Sequence, residues 1–179
     1  MLARTFTPFP ILTTERLTLR QPAISDDQQI FKLRSDNEVN KYLDREPSVT
    51  IDDARNFINS VNEHTNRSAS IYWAMTLNNS STLIGTICLY NFSDDGTCEI
   101  GYELLTNFQG QGIMKETTER VIDYALNTLQ VQRIEASLHR GNQRSVKLLE
   151  RLSFTISNEF SPNEPELRFY YLTNSMKRK

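Results

Sequence analysis

Apolar and polar positions alternate with a period of two over residues 15–21, where Leu17 and Leu19 share one face and Pro22 closes the segment. Successive side chains of an extended chain point to opposite faces, so this pattern predicts a first strand. The period then lengthens. Ser25 with Gln28 three residues on has the form of a capping box, and Ile30, Phe31 and Leu33 behind it predict a helix ending near residues 35–37. Thr50, followed by Asp52 and Asp53, marks a second helix start, with Ala54, Phe57, Ile58 and Val61 at helical spacing and an end near Asn66. Residues 71–77, 82–90 and 98–105 read as three antiparallel strands, separated by the polar turns 78–81 and 93–96. Met114, Thr118, Val121, Ile122, Ala125 and Leu129 then form one apolar helical stripe. A short strand at 133–138, a helix carrying Ser145, Leu148, Leu149 and Leu152, and two closing strands at 154–157 and 167–172 around a polar loop complete the chain. The order is strand, two helices, three strands, helix, strand, helix, two strands, which predicts an α/β fold.

No Gly/Ser- or Pro-rich linker and no repeat interrupts the 179 residues, so one domain spanning 1–179 is expected. Lys and Arg number 20 against 22 Asp and Glu, and the only run of like charge is Lys177-Arg178-Lys179. That balance gives no reason to expect a nucleic-acid partner. No stretch approaches the ~18–20 apolar residues that cross a bilayer, and the start has no apolar leader, so a cytoplasmic protein without membrane contact is expected. The two cysteines, Cys88 and Cys98, fall in strand segments without Cys or His neighbours at ligand spacing. They predict reduced thiols, and no metal site is expected.

The chemistry concentrates at Gln109-Gly110-Gln111-Gly112-Ile113-Met114, between the third strand of the meander and the amphipathic helix. A glycine turn that opens a helix leaves several N–H groups unpaired at the positive end of the helix dipole, which makes an anion cradle. Glycines 110 and 112 allow positive φ and close approach of phosphate oxygens. The plain alternative is a tight turn leading into a helix. The turn carries neither the dinucleotide fingerprint nor the Lys-Ser/Thr of a P-loop, and no carboxylate set for Mg²⁺ accompanies it. A second strand-to-helix junction lies at Asn142-Gln-Arg-Ser145, where Asn142 is an N-cap candidate. Both junctions can line the same end of a mixed sheet.

Together these stretches resemble the GNAT acetyltransferase superfamily over most of the chain. Its acetyl-CoA signature, Gln/Arg-x-x-Gly-x-Gly/Ala, is met by Gln109, Gly112 and Met114, with Met114 in place of the small residue. Thr14-Glu-Arg-Leu-Thr-Leu-Arg20, Ile84-Gly-Thr-Ile87, Glu99-Ile-Gly-Tyr102 and Asn142-x-x-Ser145-x-x-Leu148 look like the RimJ/RimL branch. Gly101-Tyr-Glu-Leu104 with Phe108-Gln-Gly-Gln-Gly-Ile-Met114 is most similar to the ribosomal-protein serine N-acetyltransferases, while Ser153 replaces the glycine usual before Phe154. The resemblance implies a mixed, mostly antiparallel GNAT-type sheet flanked by about four helices. It also implies acetyl-CoA as cosubstrate, its pantetheine arm in a splay beside residues 99–105 and bonded to main chain near Leu104 and Leu105. The pyrophosphate would rest on N–H groups of Gln109 to Met114, beside Asn142 and Ser145.

Period-two alternation puts Glu99, Gly101, Glu103 and Leu105 on one face, with the two carboxylates ~13 Å apart at ~3.3 Å per residue. That is too far for a coupled pair, but either is a candidate base for an ammonium acceptor, with Glu99 favoured over Glu103 by the resemblance. Both also fit solvated charges on an exposed sheet face. The resemblance implies Ser145 as donor to the leaving thiolate, with Tyr170 or Tyr171 as substitutes. His139 reads as a loop residue, and Trp73 as core or pocket wall. The expected acceptor is the α-amino group of a protein N-terminus, as the ribosomal-protein resemblance implies. Basicity agrees: at pH 7 about one terminal amine in seven is neutral, against roughly one lysine in 2500, so a terminal amine asks less of the base. A small amine (polyamine, amino sugar or amino acid) and a CoA-binding protein without turnover are the alternatives, and either a monomer or a homodimer is compatible with the chain.

Overall fold

The computed structural model describes residues 4–158 and 162–174. Its centre is an eight-stranded sheet in the order β1-β2-β3-β4-β5-β6-β8-β7. The strands are β1 (Leu12–Thr13), β2 (Leu17–Arg20), β3 (Ile71–Leu77), β4 (Leu83–Tyr90), β5 (Thr97–Leu104), β6 (Arg133–His139), β7 (Thr155–Ile156) and β8 (Leu167–Thr173). Every neighbouring pair is antiparallel except β5 and β6. The helices are α1 (Asp27–Ser35), the single turn α2 (Asn37–Asn40), α3 (Ile51–Asn66), α4 (Ile113–Asp123) and α5 (Gln143–Arg151). The meander is as the residue pattern predicts, and the mixed, mostly antiparallel sheet is as the resemblance implies.

Apolar side chains cover both faces of the sheet. On one face Leu17, Leu19, Trp73, Met75 and Ile87 pack with Val121, Ile122 and Ala125 of the α4 region and Leu149 of α5. On the other, Ile30 and Leu33 of α1 and Ala54 and Ile58 of α3 close over Ala74, Leu83 and Leu105. At about 1.5–3 kcal/mol for each fully buried aliphatic side chain, these two layers are what hold the strands in register. Burial along β5 follows the predicted alternation: Cys98, Ile100 and Leu104 are buried, while Glu99, Gly101 and Glu103 are half-buried. Trp73 is core, its indole N–H donating to the Pro10 carbonyl at 2.8 Å.

Local chemistry departs from the sequence reading in a few places. The expected Ser25–Gln28 capping box does not form; a 3₁₀ turn at Ile24–Asp26 precedes α1, and the Asp26 carboxylate accepts from the Ala23 N–H at 2.8 Å. Arg20 binds the same carboxylate through both terminal nitrogens, an anchor 6 residues away that a local pattern does not reveal. The α3 start is as predicted, with the Thr50 hydroxyl accepting from Asp53 N–H and the Asp53 carboxylate accepting from Thr50 N–H. Beyond α4 the helix continues as a π turn at Tyr124–Thr128. Ser153 occupies the left-handed region at φ 65°, a conformation that favours glycine. Among the described residues no helix is long and apolar enough to cross a membrane.

Candidate active site

Strands β5 and β6 pair only at Thr97–Arg133, Cys98–Ile134 and Glu99–Glu135. Beyond that point β5 stays with β4 as far as Leu104, and β6 stays with β8 as far as His139, so a gap opens between two continuing strands. Main-chain groups along a strand point alternately to its two neighbours. The Leu105 N–H donates to Ile84 O at 3.0 Å, which assigns Glu103 and Gly101 to the β4 side and turns the main chain of Tyr102 and Leu104 into the gap. The expectation for Leu105 is therefore corrected. Its N–H is taken by Ile84, its carbonyl accepts from Phe108 N–H at 2.9 Å, and its side chain is buried under α1 and α3. The Leu104 carbonyl accepts from Gln109 Nε2 at 2.9 Å, and the expectation for the Gln109 N–H is corrected as well, since it donates to the Thr106 carbonyl at 3.1 Å.

Because β5 and β6 are parallel, the helices that follow them begin at the same end of the sheet. At the first start Gly110 and Gly112 adopt φ 76° and 77°, and Gly112 is the N-cap of α4. The first helical bond is from Glu116 N–H to the Gly112 carbonyl at 3.1 Å, so the N–H groups of Ile113, Met114 and Lys115 lack an acceptor within the helix. A Cβ at Gly110 would meet nothing within 4 Å, and one at Gly112 only Arg16 Nη2 at 3.6 Å. The concavity is open, and the glycines are required by φ rather than by crowding.

Side chains stiffen this turn. Arg16 donates to the Gln111 carbonyl at 3.1 Å and to Glu116 at 2.6 Å, and Glu116 also accepts from the Thr14 hydroxyl at 2.5 Å and the Arg16 N–H at 3.0 Å. Burial acts to raise the Glu116 pKa, but the Thr14 and Arg16 hydrogen bonds outweigh it and hold the carboxyl below its ordinary value. Asn142 caps α5, its side-chain oxygen accepting from Ser145 N–H at 3.2 Å. Arg144 reaches across to the Gln109 side-chain oxygen, joining the two helix starts. Open N–H groups, positive-φ glycines and two guanidinium groups suit a pyrophosphate, so the residues present fit CoA.

On the α1/α3 side of the sheet lies a pocket of about 550 Å³, walled by Leu43 and Arg45, by Tyr72 and Cys88, and by Gly101 and Glu103. Glu103 is not a solvated charge. Arg45 grips both its oxygens at 2.5 and 2.8 Å, and Arg34 stands 4.0 Å away. Of the two candidate carboxylates, only Glu99 lacks an ion-pair partner among the described residues; it accepts from Asn91 Nδ2 at 2.8 Å, at the closed end of the gap. Burial pushes the Cys88 thiol up to about 12, so it is a neutral wall rather than a nucleophile.

Ser145 interacts with the Tyr102 hydroxyl, whose pKa burial pushes up to about 12 against the lowering effect of that serine. Tyr102, missed in the sequence reading, is thus a neutral donor at the gap. Its signal was the alternation that set it opposite Glu99, on the face toward α5. Tyr170 and Tyr171 lie on β8, beyond β6 from the gap. His139, expected in a loop, is instead the last residue of β6, where it stacks on Tyr42 and accepts from Gly141 N–H at Nδ1.

The family model for the acetyltransferase (GNAT) domain matches residues 16–155. An uncharacterized N-acetyltransferase, p20, of Bacillus licheniformis is 36% identical over 145 residues, 80% of this chain and 81% of that protein. The [ribosomal protein uS5]-alanine N-acetyltransferase of Escherichia coli is 25% identical over 152 residues, 80% of this chain and 77% of its own. Among solved structures, RimL, the ribosomal L7/L12 α-N-protein acetyltransferase in complex with coenzyme A, superposes with a TM-score of 0.79 at 19% identity, over 92% of this chain and 98% of that one. With the family model matching residues 16–155, well over half of its length, the chain belongs to the GNAT acetyltransferase family.

Proposed function

We propose that the protein transfers the acetyl group of acetyl-CoA to a primary amine, the α-amino group of a protein N-terminus, and that residues 1–179 act as one cytoplasmic catalytic unit. The observation that carries this reading is the gap between β5 and β6, with an anion cradle at one end and a carboxylate-walled pocket beside it. Acetyl-CoA brings an already activated acyl group as its thioester. The protein's task is then to align an amine, take up its proton and supply a donor to the thiolate.

In this scheme Gly110, Gln111, Gly112, Ile113 and Met114 hold the pyrophosphate through main-chain N–H groups, Gln109 braces the turn because its own N–H is given to the Thr106 carbonyl at 3.1 Å, and the main chain of Tyr102 and Leu104 holds the pantetheine arm. Glu99 receives the acceptor's proton, directly or through water, because Glu103 is committed to Arg45. Ser145, with Tyr102 beside it, is the donor for the departing sulfur. An amine of pKa ~7.8 is neutral far more often at pH 7 than one of ~10.4 and so asks less of whatever group takes its proton. The Escherichia coli relative named for a ribosomal-protein alanine agrees with that choice.

The test is acetyl transfer measured by thiol release at matched acceptor concentrations. Peptides with a free Ser or Ala N-terminus are expected to react faster than N-blocked lysine peptides and faster than spermidine. Equal or better rates on spermidine or an amino sugar move the acceptor to the small-amine class; no thiol release with any amine leaves a CoA-binding protein.

A further inference from the structure

The segment between α1 and α3, residues 36–50, carries no regular structure beyond α2, yet its polar groups are tied together. The Asp36 carboxylate caps α2 by accepting from Glu38 and Val39 N–H at 2.8 and 3.1 Å. Asn40 Nδ2 donates to the carbonyls of Arg34 and Asp36, both at 2.8 Å, and the Ser48 N–H donates to the same Arg34 carbonyl at 3.1 Å. Asn40 Oδ1 in turn accepts from Arg45 Nε at 2.8 Å. Arg45 then spends its two terminal nitrogens on the Glu103 carboxylate of β5. At the other side of the segment Tyr42 stacks on His139, at the end of β6, with ring centroids 5.4 Å apart.

The segment is therefore a strap with one foot on each strand that borders the gap. From it Leu43, Asp44 and Arg45 form one wall of the pocket, and Leu43, 37% exposed, presents an apolar surface there. The pinning ion pair is mostly removed from water, with side-chain exposures of 17% and 11%, and it is bidentate, so it fixes orientation as well as distance. Arg34, stacked on the Phe57 ring at 3.9 Å, backs the same carboxylate. Among the described residues no hydrogen bond or ion pair links residues 41–49 to the cradle at Gln109–Met114.

We propose that Arg45 is a positioning residue for the acceptor: through Glu103 it holds residues 41–49 as the wall against which the acceptor chain lies, and it plays no part in holding CoA. This rests on the acetyltransferase reading, and it gives Glu103 the role of anchor in place of base. The wall sets how well the acceptor is bound and aligned, so its loss falls on acceptor KM, whereas loss of a base falls on kcat and on the pH profile.

The experiment uses a hexapeptide with a free serine N-terminus, acetyl-CoA and the full chain, as wild type and as Arg45→Ala, Arg45→Lys and Glu103→Gln. Arg45→Ala is expected to raise the peptide KM about tenfold with the acetyl-CoA KM changed less than twofold. Arg45→Lys, which keeps the charge and loses the fork, falls between wild type and alanine, and Glu103→Gln raises peptide KM in the same direction. Hydrogen exchange at the amides of Leu43 and Ser48 quickens in Arg45→Ala. An unchanged peptide KM in a folded variant overturns the proposal, as does a Glu103→Gln that loses kcat at low pH with its KM intact, since that is the signature of a base. If Arg45→Ala does not fold, Arg45→Lys and Glu103→Gln carry both readouts. Should the wild type acetylate no amine, the functional reading fails, and the exchange rates alone decide whether Arg45 holds the strap.

Discussion

The two sides of the gap are encoded over different distances along the chain. On the proposed cradle side, the open N–H groups lie within Gly110–Lys115, aimed by two glycines at positive φ and the start of α4, with Arg16 and Arg144 only bracing the turn from outside. On the acceptor side the pocket wall depends on Arg45 meeting Glu103, 58 residues on, and on Tyr42 meeting His139. Main-chain recognition tolerates side-chain drift, because N–H groups point where the backbone sends them. Recognition by a pinned loop depends on each pairing surviving. Under the proposed function the difference makes cosubstrate and acceptor binding separable, and substitutions can be chosen to strike one side while sparing the other.

The largest effect is expected from Gly112→Val. A Cβ there would meet only Arg16 Nη2 at 3.6 Å, so the penalty is the φ of 77° and a displaced helix start rather than a clash. Acetyl-CoA should raise the melting temperature of the wild type, as any ligand selective for the folded state does, and should leave the valine variant unshifted, an affinity loss of about 100-fold or more. A folded valine variant with wild-type affinity would show the cradle to be misplaced. Next comes Ser145→Ala, which should slow turnover by about tenfold across the pH range. Glu99→Gln should instead lose turnover mainly at low pH, where the acceptor is protonated, with acetyl-CoA affinity intact. Identical pH profiles for Glu99→Gln and wild type would remove that residue from the mechanism.

The smallest effect tests the frame behind the cradle. Glu116 in the folded protein titrates below its ordinary value, so its bonds to Thr14 and Arg16 contribute stability that is fully present above the unfolded pKa of ~4.3 and is lost as pH falls through the folded value. Glu116→Gln should therefore cost about 1–2 kcal/mol in urea unfolding at pH 7, and the difference from wild type should narrow below pH ~4. A difference that stays constant with pH would assign the loss to packing.

How much was legible in the sequence follows the same division. The meander, the α3 cap and the stripe of α4 were readable because each is a local repeat or a turn between repeats. Ser25 misled because the chain turns two residues earlier, at Ala23, whose N–H is taken by the Asp26 carboxylate that Arg20 holds from β2. The glycine turn into α4 could be read because glycine and a helix start are sequence features. Glu103 was open to misreading because alternation gives the face a carboxylate occupies, and only the fold brings Arg34 and Arg45 to it. Leu105 failed as a main-chain donor for a similar reason: its neighbour Ile84 is known only once β4 and β5 are paired. Tyr102 went unnoticed because a strand tyrosine looks like core until α5 sets Ser145 beside it.

The most direct test follows backbone amides while acetyl-CoA is titrated into the protein. The account predicts protection or large chemical-shift changes at Gln111–Lys115, Tyr102 and Leu104, with Leu105 and the strap amides of Leu43 and Ser48 little affected. Acetyl-CoA that binds and perturbs Leu43 and Ser48, while the amides of Gln111–Lys115 remain unchanged, would contradict it.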